Sequence, residues 1–185
     1  MDVHQAIGER RAVRFYTDEA LDRATVERLI QFAVQAPSAR DLEPWAFVVF
    51  EGRERLRGFS EEAKRVVLRG SEQSGWSPKV RAMFSDPAFN IFYGAPVLVV
   101  ICATSTESQA AEDCCLAAQN LMLAAHAEGV ATCPIGFARP WLNLPATKVA
   151  LGIPQDWNPV FPVILGRTRE HPASPGRRAP TLMWR

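Results

Sequence analysis

The chain has 185 residues, enough for one domain with a sizeable core, and 48% hydrophobic against 22% charged residues excludes a disordered chain. Its 21 Lys and Arg balance 20 Asp and Glu, so there is no global field of the kind that nucleic acid or an anionic membrane demands. No apolar run is long enough to span a bilayer, and no signal-like apolar core opens the chain. The four cysteines form no CxxC pair and histidines number three, which argues against zinc; free thiols in a reducing cytoplasm are expected.

Asp2 can cap a short first helix with Val3, Ala6 and Ile7 on its apolar face, running out between Gly8 and Arg11. Arg10, Arg11 and Arg14 follow, interleaved with Val13, Phe15 and Tyr16. A solvated face competes with an anion site for this cluster. Half-buried guanidinium groups are costly unless an anion meets them, and guanidinium grips phosphate bidentately, so a phosphate site is the expectation. Asp22 caps a second helix, in which Val26, Leu29, Ile30 and Ala33 make one buried face and Pro37 sets the limit.

A polar loop, Pro37-Ser38-Ala39-Arg40-Asp41-Leu42-Glu43-Pro44, then feeds an apolar run expected to be a buried strand, Ala46–Phe50. Gly52–Leu68 has a helical pattern. Residues 70–95 are the least regular part and carry Trp76, Phe84, Phe89, Phe92 and Tyr93, which fits either a lid or a satellite core. Pro96–Cys102 reads as a fully buried strand. Gln109–Glu128 is the longest helix, apolar nearly all round and closed by Gly129, so part of its burial is expected from a second subunit. His126 on it reads as structural.

Val130–Cys133 is a third strand, Leu144–Leu151 a short helix ended by Gly152, and Val160–Gly166 a fourth strand whose Pro162 implies an edge or a bulge. The tail from Arg167 carries five arginines against Glu170 alone. Interspersed helices and strands predict a three-layer α/β sandwich in a single domain, residues 1–185, with 70–95 as a lid or substrate-side excursion. No GxGxxG and no Walker loop is present, so the anion site must be built from arginines.

Four pieces, in order, resemble the FMN-dependent nitroreductase family: Arg10-Arg11-Ala12-Val13-Arg14-Phe15; Ala36-Pro37-Ser38-Ala39 through Pro44-Trp45; Gln119–His126 with Gly129 and Thr132-Cys133-Pro134-Ile135-Gly136; and Leu151–Pro154 with Val163–Gly166 and the late arginines. The resemblance implies an α+β sandwich with a mixed, mostly antiparallel sheet flanked by helices, forming an intertwined homodimer with FMN at its interfaces. It implies NAD(P)H as co-substrate and ping-pong reduction of a small aromatic acceptor, such as a nitroaromatic, quinone or flavin. Cofactor-binding positions carried over are Arg10, Arg11, Ala12, Arg14, Pro37, Ser38, Ala39, Glu43, Pro134, Ile135, Gly136, Arg177 and Arg178. Phe84, Phe89 and Phe92 are the candidates for the substrate side. No catalytic side chain and no metal is expected, because the flavin carries the chemistry.

Three positions depart from the family pattern. Ala12 stands where Ser is common, Asp41 where Asn is common, and Glu43 where Gln is common. A carboxylate cannot donate a hydrogen bond to a flavin carbonyl as an amide can. A specialised flavin reaction (dehalogenation, dehydrogenation or flavin fragmentation) and a flavin store without turnover are the alternatives.

Overall fold

The computed structural model describes every residue except 72–76, 171 and 175, so Trp76 lies outside the described residues. The elements run α1 (Val3–Glu9), α2 (Arg23–Ala33), β1 (Trp45–Glu51), α3 (Arg53–Ser71), α4 (Pro78–Ser85), β2 (Val97–Ala103), α5 (Ala110–Ala127), β3 (Ala131–Pro134), α6 (Arg139–Leu142), α7 (Pro145–Leu151) and β4 (Asn158–Gly166). Single 3₁₀ turns at Ala39–Asp41 and Gly136–Ala138 complete them. The strands pair antiparallel in the order β1-β2-β4-β3. One parallel bridge, Ala12 to Thr132, adds the arginine segment beside β3 and makes the sheet mixed.

The period-two alternation of β2 builds both cores. Val97, Val99, Ile101 and Ala103 face α2 and α5, while Leu98, Val100 and Cys102 face the layer made by α3, α4 and α6. All seven residues of β2 are buried, as a strand covered on both faces must be. The result is the expected three-layer α+β sandwich.

Local rules set most of the ends. The carboxylates of Asp2 and Asp22 accept from Gln5 N and Thr25 N at 2.8 Å each, capping α1 and α2. Gly152 takes a left-handed φ of 69° to close α7. Arg167, just past β4, donates to the carbonyls of Glu128 and Gly129, placing a cation on the C-terminal end of α5.

Two expectations change, at β1 and at the end of α2, and two open alternatives are narrowed, at Pro162 and in the aromatic stretch. The first strand, β1, is an edge strand with only Phe50 buried, since it pairs with β2 on one side alone. Of the edge or bulge expected at Pro162, the bulge is found: β4 lies between two neighbours, Pro162 pairs with Val100, and the register shifts just beyond it, between Ile101 opposite Phe161 and Cys102 opposite Pro159. Helix α2 stops at Ala33, well before Pro37. The irregular aromatic stretch contains helix α4, and Phe84, Ile91 and Phe92 are at most 1% exposed in the second core.

Helix α5 is apolar on most of its circumference, yet one stripe faces outward. Leu116 is 46% exposed and Cys115 lies beside it in the open. Val3, Ile7, Phe15 and Phe32 are exposed apolar residues of the same chain.

Candidate functional site

Arg10 is the residue at which α1 ends. Its N–H still bonds Ala6 O at 3.0 Å, but its ψ of 130° turns the chain into an extended course. Val13 N then donates to Thr132 O at 2.9 Å, and Val13 is buried at 5% exposure. The Tyr16 hydroxyl folds back to donate to Val13 O at 2.9 Å. This lacing fixes the arginines along β3.

Arg10 and Arg11 line a cleft of about 560 Å³, together with Glu9, His126, Gly129, Thr132 and Thr168. Arg10 Nη1 is buried and makes no hydrogen bond, and the same is true of Arg11 Nε. Arg11 Nη1 is used internally, donating to Gly8 O and Arg10 O at 2.7 and 2.8 Å. Burial, then the neighbouring Arg11 and Arg177 charges, push the Arg10 guanidinium below its ordinary pKa. Desolvated guanidinium donors with bonding capacity to spare, Arg10 Nη1 and Arg11 Nε, are chemistry suited to an anion.

Arg14 turns the other way. Its guanidinium lies 5.8 Å from the centre of the Tyr93 ring. With Phe89, Ile91, Tyr93, Cys133, Pro134, Ile135, Gly136 and Phe137 it lines a second, largely apolar cleft of about 330 Å³. Thr132 in the first cleft and Cys133 in the second are consecutive in β3, where successive side chains point to opposite faces of the sheet, so the two clefts flank this strand. Burial raises the Cys133 thiol, against the opposing pull of Arg14 and Arg10, so it stays neutral.

The remaining expected residues are elsewhere. The loop at Pro37 sits at the N-terminal end of α5: Ala39 N donates to the buried Asp113 carboxylate at 3.2 and 3.3 Å, and Arg40 pairs with Glu107 at 2.9 Å. Ser38 Oγ accepts from Glu43 N at 3.0 Å. Arg40, Asp41 and Glu43 hold left-handed φ values of 56°, 53° and 46°, a run that L-residues rarely adopt. The Asp41 and Glu43 side chains are exposed. From Asp113 to His126 along the α5 axis is roughly 20 Å at 1.5 Å per residue. The loop and the arginine cleft of one chain therefore lie towards opposite ends of α5.

Ala12 is half-buried and occupied by its bridge to Thr132. Arg177 and Arg178 are exposed in the extended tail, with Arg177 within electrostatic reach of Arg10. Phe89 lines the second cleft. Phe84 stands behind it with ring centroids 5.4 Å apart, and Phe92 is wholly buried, away from either cleft. Sequence reasoning missed Phe137 as a lining residue of the second cleft and Thr132 of the first; Tyr93 lay in the aromatic stretch expected on the substrate side without being singled out. Tyr93 did carry a signal: it precedes Gly94, and both take positive φ, 51° and 71°. Among the described residues no group of His, Cys, Asp or Glu is placed to hold a metal ion, and no helix is long and apolar enough to cross a membrane.

Fold and site together define an α+β sandwich with a cationic cleft and an aromatic cleft on either side of β3. The Nitroreductase family model matches residues 7–167, and the chain belongs to that family. A Methanothermobacter thermautotrophicus protein with the provisional name NADH dehydrogenase/NAD(P)H nitroreductase is 29% identical, the match covering 94% of this chain and 81% of that one. A nitroreductase with bound FMN from Bacteroides fragilis superposes with a TM-score of 0.83 at 23% identity, over 97% of this chain and 95% of the other, and so shares the fold. Pig iodotyrosine deiodinase 1 is 26% identical over 103 residues, 54% of this chain and 36% of that protein.

Proposed function

We propose that the chain is an FMN-dependent oxidoreductase that takes reducing equivalents from NAD(P)H and passes them to a small aromatic acceptor by a ping-pong mechanism. The observation that carries this reading is Arg10 Nη1, a buried guanidinium donor with no hydrogen bond, in a cleft shared with Arg11 and approached by Arg177. Such a cradle fits a terminal phosphate, because guanidinium donors grip phosphate oxygens bidentately and a buried donor needs a charged partner to offset its desolvation.

In this reading Arg10, Arg11, Arg177 and Arg178 hold the phosphate. Arg14, Pro134, Ile135 and Gly136 flank the ring system, and Phe89, backed by Phe84, forms the acceptor side. When bound, FMN supplies the redox chemistry, accepting hydride equivalents from NAD(P)H and giving electrons to the acceptor. The chain's own groups orient and exclude. The aromatic wall gives the ring system an apolar face, and Arg14 sets a positive charge at the cleft's rim. The Cys133 thiol, raised by burial, stays protonated and adds no negative charge there.

A homodimer completes the arrangement. Pro37, Ser38, Ala39 and Glu43 lie far from the arginines of their own chain, so they reach the cofactor only from a second copy. The open stripe on α5, the edge strand β1 and the exposed Leu182, Met183 and Trp184 of the tail are apolar surface for such a partner to cover. Three buried free thiols fit a reducing cytoplasm.

The test is flavin uptake followed by anaerobic mixing with NADH or NADPH. Bleaching of the flavin band within seconds, then its return on adding menadione, is the expected result. Dehalogenation is the second reading, supported by the partial deiodinase match; iodide release from iodotyrosine with no turnover of menadione favours it.

A further inference from the structure

We propose that Lys64 and Ser60 are positioning residues for the acceptor-side wall, pinning the turn from Asp86 to Ile91 so that Phe89 keeps the shape of the cleft facing Pro134–Phe137. The inference rests on the reading of that cleft as the acceptor site.

Lys64 is an ammonium at 4% exposure in the middle of α3. All three of its protons are engaged: with Asp86 O at 2.9 Å, Phe89 O at 2.8 Å and Glu61 Oε1 at 2.9 Å. One turn earlier on the same helix face, Ser60 is wholly buried, and its Oγ accepts from Ile91 N at 3.0 Å. Phe89 and Ile91 are both lining residues of the second cleft. The backbone on either side of the Phe89 ring is thus tied to α3 at Asp86, Phe89 and Ile91.

A leucine or methionine could fill the volume of Lys64. Neither could answer two inward-facing carbonyls, so an apolar core alone would leave this turn free to shift. The clamp also explains why a segment with so few regular bonds holds its aromatic rings in a fixed ladder, Tyr93 to Phe89 at 6.0 Å, Phe89 to Phe84 at 5.4 Å and Phe84 to Phe137 at 4.8 Å.

The chain contains its own control. Lys148, at 9% exposure, does the same for another turn, donating to Gln155 O at 3.1 Å and Trp157 O at 2.6 Å. That turn lines neither cleft. A purely structural lysine should behave like Lys148; a positioning one should not.

The experiment compares the full-length holoprotein with Lys64→Met, Lys64→Arg, Ser60→Ala and Lys148→Met. Amide hydrogen exchange is read over residues 86–93, and steady-state KM and kcat are read with menadione and nitrofurazone. For Lys64→Met the expectation is about tenfold faster exchange at the Ile91 amide, and KM raised about fivefold with kcat within about twofold. Lys64→Arg restores most of both, and Lys148→Met changes neither while lowering the melting temperature. If Lys64→Met does not fold, Ser60→Ala carries the same expectation in weaker form. Faster exchange with unchanged KM, or an equal KM change in Lys148→Met, overturns the proposal and leaves the flavin reading standing. Wild-type protein that takes up no FMN and reduces neither acceptor overturns both.

Discussion

Arg177, far along the C-terminal tail, stands close enough to Arg10 for its charge to help lower the Arg10 pKa, behind burial and Arg11. Two cations from opposite ends of the chain thus repel one another, a placement that costs stability unless an anion screens them. Arg10→Ala is expected to weaken FMN binding by about 1.5–3 kcal/mol, the range for hydrogen bonds to charged groups. Arg177→Ala should weaken it less, and should leave the flavin-free protein as stable as before or more so. Flavin titration and thermal melts of the same samples check both signs.

Gly166, at the end of β4, has no room for a side chain. A Cβ there would stand 2.7 Å from Pro96 Cδ and 2.7 Å from Tyr16 Cδ1. Gly166→Ala is expected to cost about 1–3 kcal/mol by overpacking. Because Tyr16 is bonded to Val13 O, the displacement reaches the arginine segment. Flavin affinity should therefore fall along with the denaturation midpoint.

The outward stripe of α5 should be a subunit contact. Leu116→Asp is expected to turn a dimer into a monomer, read by sedimentation, and to lower flavin affinity as well, since the Pro37 loop would then be missing from each site. Iodoacetamide should label Cys115 first in dilute monomer and more slowly as the dimer forms. Cys102 and Cys114, whose thiols burial pushes up to about 12, should remain unlabelled while the chain is folded.

Acid stability follows from Glu128. Its carboxylate accepts from Arg28 Nε and Nη2, at 2.8 Å for the shortest contact, and this pairing holds it below the ordinary glutamate pKa. A carboxylate with a lower pKa folded than unfolded stabilises above its unfolded value, near 4.3, and loses that contribution as pH falls through the folded value. The melting temperature should therefore drop on acidification below the usual glutamate range. Glu128→Gln should make that acid limb shallower while lowering the plateau at neutral pH.

Much of this was legible in the residues. The buried alternation of β2, the Asp2 and Asp22 caps and the Gly152 stop are local features that the chain order states directly. The arginine segment could be placed after α1, since its interleaved Val13 betrays a half-buried course. What could not be read is anything set by pairing partners. The exposure of β1 depends on which side of it another strand lies, and Pro162 announced an edge or a bulge without saying which. The split of the arginines, with Arg10 and Arg11 in one cleft and Arg14 in the next, arises from the parallel bridge at Ala12. Nothing in the spacing of Arg10, Arg11 and Arg14 shows that Thr132 will receive Val13 N.

The central claim is that the arginine cleft holds the phosphate of a working flavin. The most direct measurement is anaerobic stopped-flow of the FMN-loaded wild type and of Arg10→Ala. Wild-type protein should bind FMN, bleach on mixing with NAD(P)H and recover its colour with menadione, while Arg10→Ala stays folded and loses most of its flavin. Protein that remains colourless with added FMN, or an Arg10→Ala variant that keeps its flavin in full, contradicts it.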